Sequence, residues 1–141
     1  WQTCMDGCLS HVFLMSKYFV QECKRAGHGG HIVNLSAKAA FYSSSHNKIP
    51  YATAKGAIAV LTRRMANDLI ADGIFVNALV PGYVLNSYYQ DPAPQCRAKE
   101  KGLKIGWALP KDMGNIAAFL CSPCSRQIIG AAIDCSGGTM L

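Results

Sequence analysis

No stretch of the 141 residues is both long enough and free enough of charge to cross a bilayer, so a membrane span is not expected. Acidic residues are few: eight Asp and Glu against fourteen Lys and Arg leave a net charge of +6. The densest basic run, Arg97, Lys99, Lys101 and Lys104, is interrupted by Glu100 and lacks interleaved aromatics. It reads as a solvated helix face, and no nucleic-acid partner is expected. His11, His28, His31 and His46 show no ligand spacing, and Cys121 and Cys124 form a C-x-x-C without a second such pair or an H-x-x-x-H. A zinc site needs about four ligands, so no metal is expected. The chain starts at Trp1 with neither an initiator Met nor a secretory leader, and is expected to be a piece of a longer protein. Internal repeats and low-complexity segments are also missing. The seven cysteines are an odd number scattered through apparent helices and strands, which points to reduced thiols and a cytoplasmic setting.

What is present suits one domain over 1–141, since half the residues are hydrophobic and a core is possible. Between residues 3 and 26, Leu9, Val12, Phe13, Met15, Ser16, Phe19, Val20 and Cys23 recur at helical spacing over a wide apolar surface. Gly27 to Gly30 then stop the helix. Ile32 to Leu35 make a short strand, and a Ser-rich loop over 37–49 leads to Pro50, whose fixed φ suits a helix start. Ile58, Leu61, Met65 and Leu69 mark a helix from Tyr51 to about Ala71. Ile74 to Val80 is a nearly continuous apolar run of the kind that buried parallel strands show. A short basic helix near 95–104, a helix from about Lys111 to Cys121 and a last strand from Ala131 to Cys135 complete the chain. Alternating helices and strands predict an α/β fold with a doubly wound parallel sheet.

The pair with most chemical content is Tyr51 and Lys55, four residues apart at the start of the second long helix. Four residues is about one turn, so both side chains share a face. A free tyrosine has a pKa of about 10, and a fixed cation beside it favours the phenolate. That makes a workable proton-transfer couple.

The surroundings add to the pair. Gly30-His31-Ile32-Val33-Asn34-Leu35-Ser36 lies upstream, Gly73 to Val84 with its Pro81-Gly82 turn lies downstream, and Gly130 to Gly138 closes the chain. Together with Tyr51-Ala-Thr-Ala-Lys55 they resemble the C-terminal half of a short-chain dehydrogenase/reductase over nearly all 141 residues. The resemblance implies half of a Rossmann-type sheet, about three strands with flanking helices. It implies an oxidoreductase that passes a hydride between NAD or NADP and an alcohol or carbonyl substrate. Tyr51 would be the acid/base. Lys55 would support it and bind the ribose hydroxyls. Pro81, Gly82, Val84 and Asn86 would contact the nicotinamide end of the cofactor. The resemblance also implies a homodimer or homotetramer formed through the helices near 3–26 and 51–71.

Several positions depart from the family's pattern. Where the family reads Asn-x-Ser-Ser, this chain has Asn34-Leu35-Ser36-Ala37, so a methyl group replaces the hydroxyl that binds the substrate oxygen. Loss of such a donor costs about 3 to 4 kcal/mol. Ser36 should point to the opposite face, and Ser43, Ser44 and Ser45 are candidate replacements in a loop one residue longer than usual. Asn34 is expected to satisfy backbone groups. Cys8 stands where the family's relay Asn would be, in Asp6-Gly7-Cys8-Leu9. Phe75 replaces a common Arg, Ser136 a common Asp, and Asn86 a common Thr. Most consequential, no Gly-rich turn follows a first strand to cradle a pyrophosphate. Gly27-His28-Gly29-Gly30 follows a helix instead.

Two functions therefore stand side by side: a reductase half that is inactive by itself, and a non-catalytic binding or oligomerisation module with the same fold. The substrate and the choice between NAD and NADP are not legible in these residues. The 141-residue chain alone is expected to bind neither NAD(H) nor NADP(H). Titrating reduced nicotinamide cofactor against micromolar chain checks this, and saturable quenching of its fluorescence would contradict it.

Overall fold

The computed structural model describes residues 1–42, 48–85 and 103–141. The first helical segment is one rod with a local widening: α1 (Gln2–Met5) passes through a π-helical turn (Asp6–Ser10) into α2 (His11–Ala26). The sequence periodicity predicts a single helix here and does not reveal the wide turn, which includes Cys8. Gly27 ends α2 in the left-handed region at φ 71°, and the N–H of His28 reaches back to Cys23 O at 3.1 Å. That closing bond satisfies carbonyls left over at the helix end, so the glycine run is a helix stop, as the sequence implies.

Strand β1 (Gly30–Leu35) follows, then a 3₁₀ turn (Lys38–Ala40) and α3 (Ile49–Leu69), with Pro50 in its first turn. A 3₁₀ turn (Ile70–Asp72) and Gly73 lead into β2 (Ile74–Pro81). Helix α4 (Pro110–Leu120), a 3₁₀ turn (Pro123–Ser125) and β3 (Ala132–Cys135) complete the described elements. The short basic helix expected near 95–104 lies almost wholly outside the described residues.

The three strands form a parallel sheet in the order β1-β2-β3. Gly30 faces Ile74 and Leu35 faces Leu79, while Ala78 faces Ala132 across the other edge of β2. Residues 76–80 of β2 are buried one after another. Successive side chains point to opposite faces, so both faces of this strand are covered. Helices α2 and α3 cover one: Cys23, Ala66, Ile74 and Val76 form a cluster joined by Val20, Ile32, Met65 and Leu69. Helix α4 packs on β1 and β2. Asn77, buried in the middle strand, donates from Nδ2 to Ile128 O at 2.7 Å and accepts from the Ala131 N–H at 3.0 Å. Its amide thus aligns the segment entering β3 with β2. The outer edge of β1 has no strand beside it among the described residues.

Helix α3 presents two contrasting positions. Ile58 is fully buried, whereas Val60 is 72% exposed. In chemical denaturation Ile58→Ala should cost about 2 to 5 kcal/mol through the cavity it leaves. Val60→Ala should stay within about 0.5 kcal/mol. Equal losses would show that the buried face of α3 is assigned wrongly.

Candidate active site

The carboxyl ends of β1 and β2 lie side by side, and α3 is tied to the first of them through side chains. Asn34 Nδ2 donates to Thr62 Oγ1 at 2.9 Å in a buried contact. Ser36 Oγ donates to Lys55 O at 2.7 Å. Lys55 Nζ returns along the same seam and donates to Leu35 O at 2.8 Å. Lys55 is half-buried, and that desolvation holds its pKa below the usual lysine range, with the nearby Cys8 thiol acting weakly in the opposite direction. Tyr51 lies one turn earlier on α3, 37% exposed, with Lys55 Nζ 5.8 Å from its ring centroid.

The remaining positions singled out in the sequence are distributed around this seam. Ala37 continues the extended backbone beyond β1, at φ −163° and ψ 157°, and offers only a methyl group. The hydroxyl of Ser36 is committed to Lys55 O, so Ser36 is already used in positioning α3. Asn34 bonds to a side chain of α3, where the sequence led us to expect backbone groups. Cys8 lies in the π-helical turn that packs against α3. Pro81 ends β2, and Gly82 follows it against the chain beyond β3. A Cβ on Gly82 would lie 2.7 Å from Ser136 O, so no larger residue fits there without movement. Val84 pairs with Ala108 in an isolated parallel bridge. Asn86 and Ser43 to Ser45 lie outside the described residues.

A cleft of about 450 Å³ runs along the outer edge of β1 beneath the first helix, with Ser16, His31, Asn34 and Lys55 in its wall. The His31 Nδ1 atom is buried without a hydrogen-bond partner. Lys55 carries three N–H donors, of which one goes to Leu35 O. Among the described residues the other two have no hydrogen-bond partner, and they suit the hydroxyl groups of a ribose. Nothing among the described residues forms a glycine-rich strand-to-helix turn for a dinucleotide's pyrophosphate.

One residue of this region escaped the sequence reading. Lys38, directly after Ala37, is 9% exposed, and its Nζ lies 3.8 Å from the ring centroid of Tyr83 and 5.9 Å from that of Tyr42. Tyr83 in turn lies 5.6 Å from Trp107. No local spacing brings positions 38, 83 and 107 together; only the parallel pairing of β1 with β2 and the bridge at Ala108 do so.

The family model described as enoyl-(acyl carrier protein) reductase matches residues 1–140. A 2-dehydro-3-deoxy-D-gluconate 5-dehydrogenase from Dickeya dadantii is 34% identical over 98% of this chain and 56% of its own length. Dehydrogenase/reductase SDR family member 4 from Bos taurus is 32% identical over 99% of this chain and 51% of its own. A 3-oxoacyl-[acyl-carrier protein] reductase from Brucella melitensis, solved with bound NAD, superposes with a TM-score of 0.86 at 27% identity, over 98% of this chain and 51% of that one. The chain thus spans about half the length of the relatives it matches. With the parallel sheet and this family match together, the chain belongs to the short-chain dehydrogenase/reductase family.

Proposed function

We propose that this chain is the C-terminal half of an NAD(P)-dependent oxidoreductase that interconverts an alcohol and a carbonyl compound, with Tyr51 as acid/base and Lys55 as its electrostatic partner. One observation carries the reading: the Lys55 ammonium is held on Leu35 O at the carboxyl edge of the sheet, with Tyr51 one turn away on the same helix face. Ligands of open α/β sheets bind at that edge.

The chemistry follows from the placement. A half-buried ammonium near a phenol favours the phenolate, which brings tyrosine closer to use as a base near neutral pH. Tyr51 would give its proton to the carbonyl oxygen during reduction and take it back during oxidation. NAD or NADP, when bound, supplies or accepts the hydride. The two free donors of Lys55 would hold the ribose hydroxyls, and Pro81, Gly82, Val84 and Asn86 would flank the nicotinamide end. Ala37 contributes no hydrogen bond to the reacting oxygen, which costs about 3 to 4 kcal/mol of transition-state stabilisation. A protein carrying this half would therefore be slow.

The second reading, a non-catalytic binding or oligomerisation module, is favoured by Ala37 and Cys8 together, because two polar positions of the constellation hold side chains poor in hydrogen bonding. Apolar groups on the outside of the first helix suit either reading. Phe13, Met15 and Tyr18 are 52%, 69% and 57% exposed, and with Val60 on α3 they suit contact with a second copy in a homodimer or homotetramer.

In the protein that joins this chain to its N-terminal half, Tyr51→Phe should lower turnover by a factor of about 10² to 10⁴. Ala37→Ser should raise it about tenfold or more, up to the range of a restored oxyanion donor. Steady-state rates with reduced nicotinamide cofactor and a panel of carbonyl compounds check both. Equal activity of wild type and Tyr51→Phe would show that the tyrosine is only structural.

A further inference from the structure

We propose that Lys38 is an anion-binding residue at the candidate active site, and that the substrate it helps select carries a carboxylate. Calling that anion a substrate rests on the oxidoreductase reading; the binding itself does not.

Burying an ammonium is unfavourable unless a counter-charge or hydrogen bonds replace its water. Lys38 is nine-tenths buried. Among the described residues the ion pairs are Lys24–Asp72, Arg25–Glu22 and Arg64–Asp68, so none of them reaches Lys38. Its ammonium is instead held over the face of Tyr83 at 3.8 Å and near that of Tyr42 at 5.9 Å. An aromatic face offers a quadrupole and no net charge. The cluster of Lys38, Tyr42, Tyr83 and Trp107 therefore sets an ammonium among aromatic rings without a counter-charge among the described residues, where a small anion gains from pairing with it. An apolar side chain at position 38 would fill the same space among the rings without the desolvation cost, so packing alone does not account for a lysine.

Location supplies the function. Lys38 follows Ala37 at the end of β1, and Tyr83 follows Pro81 and Gly82 at the end of β2. The cation thus sits at the same carboxyl edge as the Lys55 seam, where α/β sheets receive their ligands. A single ammonium, with no second cation over these rings among the described residues, matches the one charge of a carboxylate. A phosphate would call for more donors and more charge.

Trp107 is a built-in reporter, since it touches Tyr83 and the chain has only one other tryptophan, Trp1. With Trp1→Phe as background, Trp107 emission is followed during titration with D-gluconate and, separately, with D-glucitol, which has the same carbon chain without the carboxylate. Ionic strength is held constant with sodium chloride. Gluconate should give a saturable change and glucitol none. Lys38→Met should weaken the gluconate response by about tenfold or more, and Lys38→Arg should keep it. The proposal is overturned if gluconate gives no saturable change, if glucitol or chloride reproduces it, or if Lys38→Met responds like the parent. Should Lys38→Met fail to fold by circular dichroism, Lys38→Arg decides: a folded arginine variant without a gluconate response also overturns the proposal. Binding is read without turnover, so a failure of Tyr51 as acid/base leaves these outcomes unchanged.

Discussion

The seam between the end of β1 and helix α3 sets the position of everything of chemical interest in this chain. Asn34 to Thr62, Ser36 to Lys55 O and Lys55 to Leu35 O tie three successive residues at the strand's end to two positions of the helix. Because the bonds alternate in direction along the strand, sliding one element along the other would break them, and the buried Asn34–Thr62 contact alone would leave polar groups unpaired at about 1 to 3 kcal/mol for each. The face of α3 that carries Tyr51 is thereby held over the carboxyl edge of the sheet. The sheet supplies the reference frame through the uninterrupted burial of β2.

On the proposed reading, the same seam accounts for Tyr51 and Lys55 standing together beside Ala37 and Cys8. Lys55 has a structural duty to Leu35 O and a spare pair of donors. Ser36 has only a structural duty and cannot replace the hydroxyl missing at Ala37. Charge is instead concentrated in two ammonium groups, Lys55 against the strand end and Lys38 against Tyr83, both taken partly out of water. A site built this way depends on electrostatics more than on neutral hydrogen bonds. Among the described residues the outer edge of β1 has no strand beside it, and the buried Nδ1 of His31 has no hydrogen-bond partner in the cleft there.

The sequence made the strands and the helix stops legible because they depend on local chemistry. The β2 run from Ile74, the glycine at 27 and the proline at 50 each act within a few residues of themselves. The Tyr51 and Lys55 pair was legible for the same reason, since a separation of four residues fixes a shared helix face. Three features depend on contacts between distant parts of the chain and were not legible. The π-helical turn over Asp6–Ser10 has no periodicity signal that differs from a regular helix. Asn77 reads as one polar residue in an apolar strand until its amide meets residues 128 and 131. Lys38 reads as a loop lysine until the sheet brings Tyr83 over it.

Electrostatic coupling between Lys55 and Tyr51 is central to the proposed chemistry, and the pH dependence of kcat/KM for alcohol oxidation tests it most directly. In that direction Tyr51 must be ionised, so the rate should rise with pH through the tyrosine's pKa. The favourable charge of Lys55 is present below its own lowered pKa and lost above it. Lys55→Met, measured in the protein that includes the N-terminal half, should move the rising limb upward by about one pH unit or more. A rising limb at the same pH in wild type and Lys55→Met would contradict the account.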